Sequence, residues 1–151
     1  MAKILFLESD KTALKAFSGL INRTEHSLIH VEYMEEAWRV LTNEKFVDLF
    51  ILEVSLTDED GSLLIERIKR NPFLAKLPII VYSRVTQKPV IHKLVHLDIQ
   101  NYLIKPYEDE KLYIEIMKAT KTKWWENYFD DELPHEKLSP LLTAILKLTE
   151  E

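Results

Sequence analysis

Polar side chains that could do chemistry follow the short apolar runs of this sequence. They are, in order along the chain, Glu8, Ser9, Asp10, Glu53, Ser83 and Lys105. Buried carboxylates that lie together without a cation raise each other's pKa. Lys105 is the obvious counter-charge, so these residues predict a polar cluster that contains at least one ion pair.

Five short aliphatic or β-branched runs lead into these groups and predict five strands. The runs cover residues 3–7, 28–31, 47–52, 79–82 and 101–104. The third and fourth runs are almost continuously apolar, which indicates burial on both faces of a sheet. Parallel strands that alternate with helices are joined by right-handed crossovers, and such sheets carry their working groups at the carboxyl ends of the strands. We therefore expect the polar cluster at one edge of a parallel sheet.

Apolar residues at helical spacing lie between the runs and predict the crossover helices. The clearest sets are Leu14, Phe17, Leu20 and Ile21, then Ala37, Val40 and Leu41, then Leu64, Ile65 and Ile68. A fourth helix over 90–97 has a weaker pattern. The sequence thus predicts an α/β domain with a doubly wound, five-stranded parallel sheet.

The last part of the chain departs from this alternation. The pattern predicts one long helix over 108–129 and another over 138–148, where Ser139 and Pro140 suit an N-cap and a first helical position. We therefore predict a domain over 1–129 and a helical C-terminal extension over 130–151. The aromatic residues at the junction either lie beneath the apolar stripe of the last helix or form a dimer or partner surface; they are Trp124, Trp125, Tyr128 and Phe129.

Composition narrows the classes of function. The 151 residues, 46% of them hydrophobic, suit one domain with a real core, and the formal charge of −5 offers no broad basic surface for nucleic acid. The chain has no cysteine, which excludes thiolate chemistry and disulfides. We find no secretory signal and no apolar run of membrane-spanning length, and so expect a cytoplasmic protein that binds neither nucleic acid nor membrane.

Four motifs, ILFLESD, DLFILEVSLTDEDG, LPIIVYS and NYLIKPY, resemble the acidic, acceptor, switch-hydroxyl and lysine–proline motifs of response-regulator receiver domains. The resemblance covers residues 3–118 and implies the flavodoxin-like receiver fold. In that family a third-strand aspartate accepts a phosphoryl group, Mg²⁺ is held by the acidic pair and the acceptor, and the lysine and hydroxyl contact the phosphoryl oxygens. The signal then spreads to the fourth helix, fifth strand and fifth helix through an aromatic residue, whose place Tyr102 takes here.

Three residues depart from the family pattern. Glu53 stands at the acceptor position, and its side chain is one methylene longer than the aspartate of the family. Because phosphoryl transfer depends on positioning, the extra methylene opposes the reaction. Ser9 replaces the second acid and is a weak Mg²⁺ ligand. Arg84, where the family has a small residue, is expected to pair with Glu53 or Glu8. We therefore predict a degenerate pseudo-receiver that signals by protein contact, is not an enzyme, and binds Mg²⁺ weakly or not at all.

Several alternatives remain open at this stage. Glu53 could mimic the phosphorylated state or form a plain ion pair with Lys105. Alternatively, Lys105, Arg84 and Ser83 could form a pocket for a small anion. The chain could instead be a working phosphorelay receiver, phosphorylated on Asp10 or weakly on Glu53. A hydrolase with Glu8 and Glu53 as acid and base lacks a recognisable nucleophile. The partner is an unidentified protein or a second copy, bound through the fourth and fifth helices or the extension.

A lysine–proline peptide bond and a pair of histidines are two further features of the sequence. Lys105 precedes Pro106, which favours a constrained peptide bond and is compatible with the cis form. His92 and His96 are four residues apart on a predicted helix, a spacing that could hold a metal ion, but the sequence shows no third ligand nearby. We therefore expect an exposed helix face and no metal site.

Overall fold

The computed structural model describes residues 2–43 and 46–124. The elements, in chain order, are β1 (Lys3–Leu7), α1 (Lys11–Asn22), β2 (Ser27–Val31), α2 (Met34–Thr42), β3 (Leu49–Leu52), β4 (Ser55–Leu56), β5 (Glu59–Asp60), α3 (Gly61–Arg70), β6 (Ile79–Ser83), α4 (Lys88–Val95), β7 (Asn101–Ile104) and α5 (Asp109–Ala119). Five strands form one parallel sheet in the order β2-β1-β3-β6-β7. The predicted doubly wound, five-stranded sheet is confirmed.

Alternation along the strands divides the core between the two faces of the sheet. In β1, Leu5 and Leu7 pack with buried residues of α2, α3 and α4, whereas Ile4 and Phe6 pack with those of α1 and α5. All four side chains are fully buried. A sheet covered on both faces explains why the runs in β1, β3 and β6 are almost continuously apolar.

One strand prediction needs correction, and one pair of strands was missed. The third strand begins at Leu49 rather than at residue 47. The two residues before it make other hydrogen bonds: the Asp48 carboxylate accepts the Lys3 N–H at 2.7 Å, and the Val47 carbonyl accepts an indole N–H. The short antiparallel pair of β4 and β5 was not predicted. Strands of two residues are too short to show a periodic pattern.

The predicted long helix over 108–129 is wrong, because α5 ends at Ala119. Thr120 follows in a non-helical conformation, with φ −105° and ψ 9°, and its hydroxyl donates to the Ile116 carbonyl at 2.8 Å. A side chain that bonds to the backbone in this way competes with helix continuation. The predicted helix over 138–148, the domain border at residues 129 and 130, and three of the four junction aromatics (Trp125, Tyr128 and Phe129) lie outside the described residues.

Trp124, the fourth junction aromatic, packs into the core of the domain. Its indole Nε1 donates to the Val47 carbonyl at 2.8 Å, and its side chain is 6% exposed. The preceding Lys123 pairs with Asp48 at 2.7 Å. Trp124 joins the core cluster on the α2, α3 and α4 side of the sheet, whereas α5 packs on the opposite side. The chain therefore crosses beneath the amino-terminal edge of the sheet after α5.

Candidate functional site

The predicted polar cluster is present at the carboxyl edge of the sheet. Glu8 and Glu53 follow β1 and β3, Ser83 ends β6, and Lys105 follows β7. A cavity of about 430 Å³ opens at this edge, and its lining includes six of the predicted positions: Glu8, Ser9, Asp10, Glu53, Arg84 and Lys105. Ser83 lies beneath it, fully buried. Parallel strands bring these residues together from separate parts of the chain.

The ion pair of the cluster joins Glu8 to Lys105. Glu8 Oε1 lies 2.5 Å from Lys105 Nζ, and Glu8 Oε2 accepts the backbone N–H groups of Ser9 at 3.1 Å and Asp10 at 3.3 Å. The Glu8 side chain is 2% exposed and that of Lys105 is 9% exposed. Both oxygens of Glu8 are therefore already engaged. The Lys105 ammonium also lies 5.1 Å from the centre of the Tyr82 ring, a contact that we did not predict.

Glu53 is buried and only partly satisfied. Its Oε1 accepts the Ser83 hydroxyl at 2.9 Å. Its Oε2 lies 3.9 Å from the Lys105 ammonium and has no hydrogen-bond partner. Burial raises the pKa of Glu53 above its ordinary value of 4.5, although the Ser83 hydrogen bond, the Lys105 charge and the Arg84 backbone oppose this rise. Glu53 thus keeps a proton to higher pH than an ordinary glutamate does.

The expected pairing of Arg84 with Glu53 or Glu8 is wrong. Lys105 makes the ion pairs with both carboxylates, and in the part of the chain that the structure describes Arg84 forms none. Arg84 directly follows Ser83, and neighbouring residues of an extended chain point in opposite directions. Because Ser83 faces Glu53, the exposed Arg84 side chain lies at the rim of the cavity.

Ser9 and Asp10 occupy the acidic-pair positions but have other local roles. The Ser9 hydroxyl lies 3.4 Å from both the backbone nitrogen and the hydroxyl of Thr57. The Asp10 carboxylate accepts the Thr12 N–H at 2.9 Å and caps α1. Within residues 2–43 and 46–124, no group of three or more His, Asp or Glu side chains could hold a metal ion. The expectation of weak Mg²⁺ binding stays a prediction.

A path of hydrogen bonds leads from Glu53 to β7. Ser83 Oγ donates to Glu53 and accepts the Val85 N–H at 3.1 Å, and the Val85 carbonyl accepts the Tyr102 hydroxyl at 2.7 Å. Burial raises the pKa of Tyr102, so this residue remains a hydroxyl donor. Sequence reasoning found Ser83 and Tyr102 but missed Val85, because its part in the path uses only backbone atoms.

The Lys105–Pro106 peptide bond is cis, the form with which the sequence was compatible. In the described ranges, no helix combines the length and the apolar character needed to cross a membrane.

Comparison with known proteins agrees with this architecture. The sequence profile of the family described as "Response regulator receiver domain" matches residues 4–117. A "Sensory transduction protein LytT" from Enterococcus faecalis is 28% identical over 120 residues, which are 78% of this chain and 48% of that protein. A "Two-component response regulator-like APRR3" from Arabidopsis thaliana is 26% identical over 111 residues, which are 73% of this chain and 22% of that protein. The chain therefore spans less than half the length of these two relatives.

Solved structures show the same fold. A two-component response regulator from Clostridium difficile has a TM-score of 0.72 and 26% identity, and the match covers 80% of this chain and 97% of that one. A signal receiver domain of an HD domain-containing protein from Pseudomonas fluorescens has a TM-score of 0.75 and 23% identity, covering 84% and 92%. The chain belongs to the response regulator receiver domain family. It is a signal-transduction domain of a kind that interacts with other signalling proteins and is generally not an enzyme.

Proposed function

We propose that this receiver domain is a pseudo-receiver that acts as a protein-binding module without phosphorylation at the acceptor position. One observation carries the proposal: Glu53 already accepts the Ser83 hydroxyl at 2.9 Å, while Lys105 is held by Glu8 at 2.5 Å. By family resemblance, these are the hydroxyl and the ammonium that would stabilise a phosphoryl group. Both are engaged within the chain itself.

The donor set also fits Mg²⁺ poorly. Both Glu8 oxygens are engaged, Ser9 is neutral, and the Asp10 carboxylate caps α1. Mg²⁺ demands near-ideal octahedral geometry from hard oxygen ligands, usually carboxylates. Because phosphoryl transfer depends on positioning and charge stabilisation, the longer Glu53 side chain and the poor metal site oppose the same reaction.

We further propose that Glu53 holds the domain in one signalling arrangement. A plain Glu53–Lys105 ion pair is the weaker of the two explanations for Glu53, because the ammonium lies 3.9 Å from Glu53 but 2.5 Å from Glu8. The hydrogen bond to Ser83, continued through Val85 to Tyr102, gives Glu53 a direct connection to β7. In this proposal, Glu53 mimics the phosphorylated state of a receiver domain.

The output surface that we propose is the α4–β7–α5 surface. Two large apolar side chains are exposed on α4 and β7: Val95 at 52% and Ile104 at 42%. Grouped apolar residues on a surface mark sites of protein contact. We propose that a second copy of the chain or another cytoplasmic signalling protein binds there, and that residues beyond 129 form a helical extension.

Intact-mass spectrometry tests the loss of phosphorylation. The native chain is incubated with a small phosphodonor and Mg²⁺, beside Glu53→Asp and the triple variant Glu53→Asp, Ser9→Asp, Arg84→Ala. We expect no phosphoryl adduct on the native chain and an adduct on the triple variant. An adduct on native Glu53 or Asp10, located by peptide mapping, would overturn the proposal and restore a phosphorelay role.

Sedimentation equilibrium tests the output surface. We expect a concentration-dependent dimer that Ile104→Lys disrupts. Leu63→Lys is a matched control, because Leu63 is 52% exposed on α3, away from this surface. A native chain that stays monomeric at every concentration would rule out the second copy as the occupant, and equal loss in both variants would rule out this surface.

A further inference from the structure

Two histidines lie one turn apart at the end of α4, away from the cavity. His92 and His96 are both exposed, their ring centroids are 4.2 Å apart, and their planes meet at 37°. The sequence alone favoured an ordinary exposed helix face. The arrangement of the rings adds information that sequence spacing does not contain.

A hydrogen bond to the backbone orients one of the rings. His96 Nδ1 lies 2.9 Å from the His92 carbonyl oxygen. A carbonyl oxygen can only accept, so Nδ1 carries the proton of the neutral ring and Nε2 has a free lone pair. Histidines that bind metals usually donate their other ring N–H to a carbonyl or carboxylate in this way. His96 therefore has its Nε2 lone pair available for a metal ion.

The distance between the rings discriminates between metal geometries. With metal–nitrogen bonds of about 2.0–2.1 Å, two imidazoles at a 90° angle on one ion have centroids about 4.5 Å apart, and at a tetrahedral angle about 5.2 Å apart. The observed 4.2 Å is closer to the first value. A 90° arrangement of two imidazoles is typical of tetragonal Cu²⁺ and Ni²⁺.

We propose that His92 and His96 form a two-point chelate for a divalent transition-metal ion of the Cu²⁺ or Ni²⁺ type, with water in the remaining positions. Lys93 lies between them in sequence, but its ammonium pairs with Glu66 of α3 at 3.2 Å. The ion would link His96, the C-cap residue of α4, to His92 in the preceding turn. It would lie beside the exposed Val95. Binding of a metal ion at this site does not depend on the proposed function.

Calorimetric titration with Ni²⁺ tests this site in the full chain, prepared without a polyhistidine tag. We expect one-to-one binding that weakens about tenfold or more in His92→Ala and in His96→Ala. His135→Gln is the control, because it removes a histidine elsewhere in the sequence, and it leaves binding unchanged. The absence of saturable binding, or equal binding by all variants, would overturn the proposal.

Electron paramagnetic resonance of bound Cu²⁺ gives an independent readout. We expect nitrogen hyperfine structure from two imidazoles in the native chain and from one in His96→Ala. Titration with Zn²⁺ tests the geometry, since a 90° chelate should bind Zn²⁺ no more tightly than Ni²⁺. A single-nitrogen spectrum in the native chain, or a clear preference for Zn²⁺, contradicts the chelate described here. Circular dichroism of each variant confirms that the fold is intact.

Discussion

The Lys105 ammonium contacts Glu8 at 2.5 Å, and both side chains are almost completely buried. The cation that follows the last strand of the sheet is thereby bound to the first strand. This pair connects the residues that follow β1 and β7, and Glu53 is left with one oxygen that lacks a hydrogen bond.

Replacement of Lys105 by Met should lower the free energy of unfolding by about 3–5 kcal/mol, because it leaves the Glu8 charge buried and unpaired. Urea denaturation followed by circular dichroism measures the change. Lys111→Met is the control: its ammonium lies 3.9 Å from Glu108 and both side chains are well exposed, so we expect a loss below about 1 kcal/mol. Equal losses in the two variants would mean that the buried pair has no special role.

Replacement of Glu53 by Gln should change how stability depends on pH. The raised pKa of Glu53 means that the folded state holds the proton more strongly than the unfolded chain does. The native chain therefore loses stability as pH rises from the ordinary glutamate value of 4.5 through the folded pKa, and the variant lacks this loss. Urea unfolding at several pH values should show the variant gaining relative stability with rising pH, then levelling off. If the difference in unfolding free energy between the two proteins is the same at every pH, the pKa of Glu53 is not raised by folding.

Gly61 should not tolerate a side chain. A Cβ there would lie 2.8 Å from Val54 Cα and 3.1 Å from the Glu53 carbonyl oxygen, and backbone atoms cannot move aside cheaply. We expect Gly61→Ala to destabilise the fold by about 1–3 kcal/mol, as overpacking does. Gly19 in α1 has nothing within 4 Å of its Cβ position, so Gly19→Ala should stabilise by about 0.4–1 kcal/mol. Thermal unfolding of both variants tests the opposite signs.

Removal of the Tyr102 hydroxyl should loosen the path from Glu53 to β7. Tyr102→Phe loses the 2.7 Å bond to the Val85 carbonyl, which should cost about 0.5–1.5 kcal/mol. Amide hydrogen exchange should become faster at Val85, whose N–H bonds to Ser83. Tyr33→Phe, at a residue that is 57% exposed, serves as the control. Unchanged exchange at Val85 in Tyr102→Phe would show that the path is not mechanically connected.

Much of the architecture could be predicted from the sequence, because burial on two faces leaves a strong apolar pattern in β1, β3 and β6. The same pattern places Glu8, Ser83 and Lys105 at strand ends, and hence at one edge. The sequence could not decide which carboxylate Lys105 binds. Both carboxylates lie close to its ammonium, Glu8 at 2.5 Å and Glu53 at 3.9 Å, and sequence patterns do not resolve so small a difference in distance.

The remaining differences have local causes that periodicity does not record. The sequence predicted a helix that continues past Ala119, but the Thr120 hydroxyl bonds back to Ile116 and the helix stops. Arg84 carries a charge that suits Glu53, but its position directly after Ser83 turns it toward the rim. Both outcomes depend on backbone direction at a single residue.

The burial of Trp124 offers a practical way to follow the domain in solution. Val47, whose carbonyl accepts the indole hydrogen bond, precedes β3, and Glu53 follows it. At the rise per residue of a strand the two are about 20 Å apart. In a chain whose other tryptophans are replaced by Phe (W38F and W125F), the emission of Trp124 would report only on that far end. It would change when the domain unfolds but stay constant while ligands occupy the cavity, and so provide an internal reference for every titration.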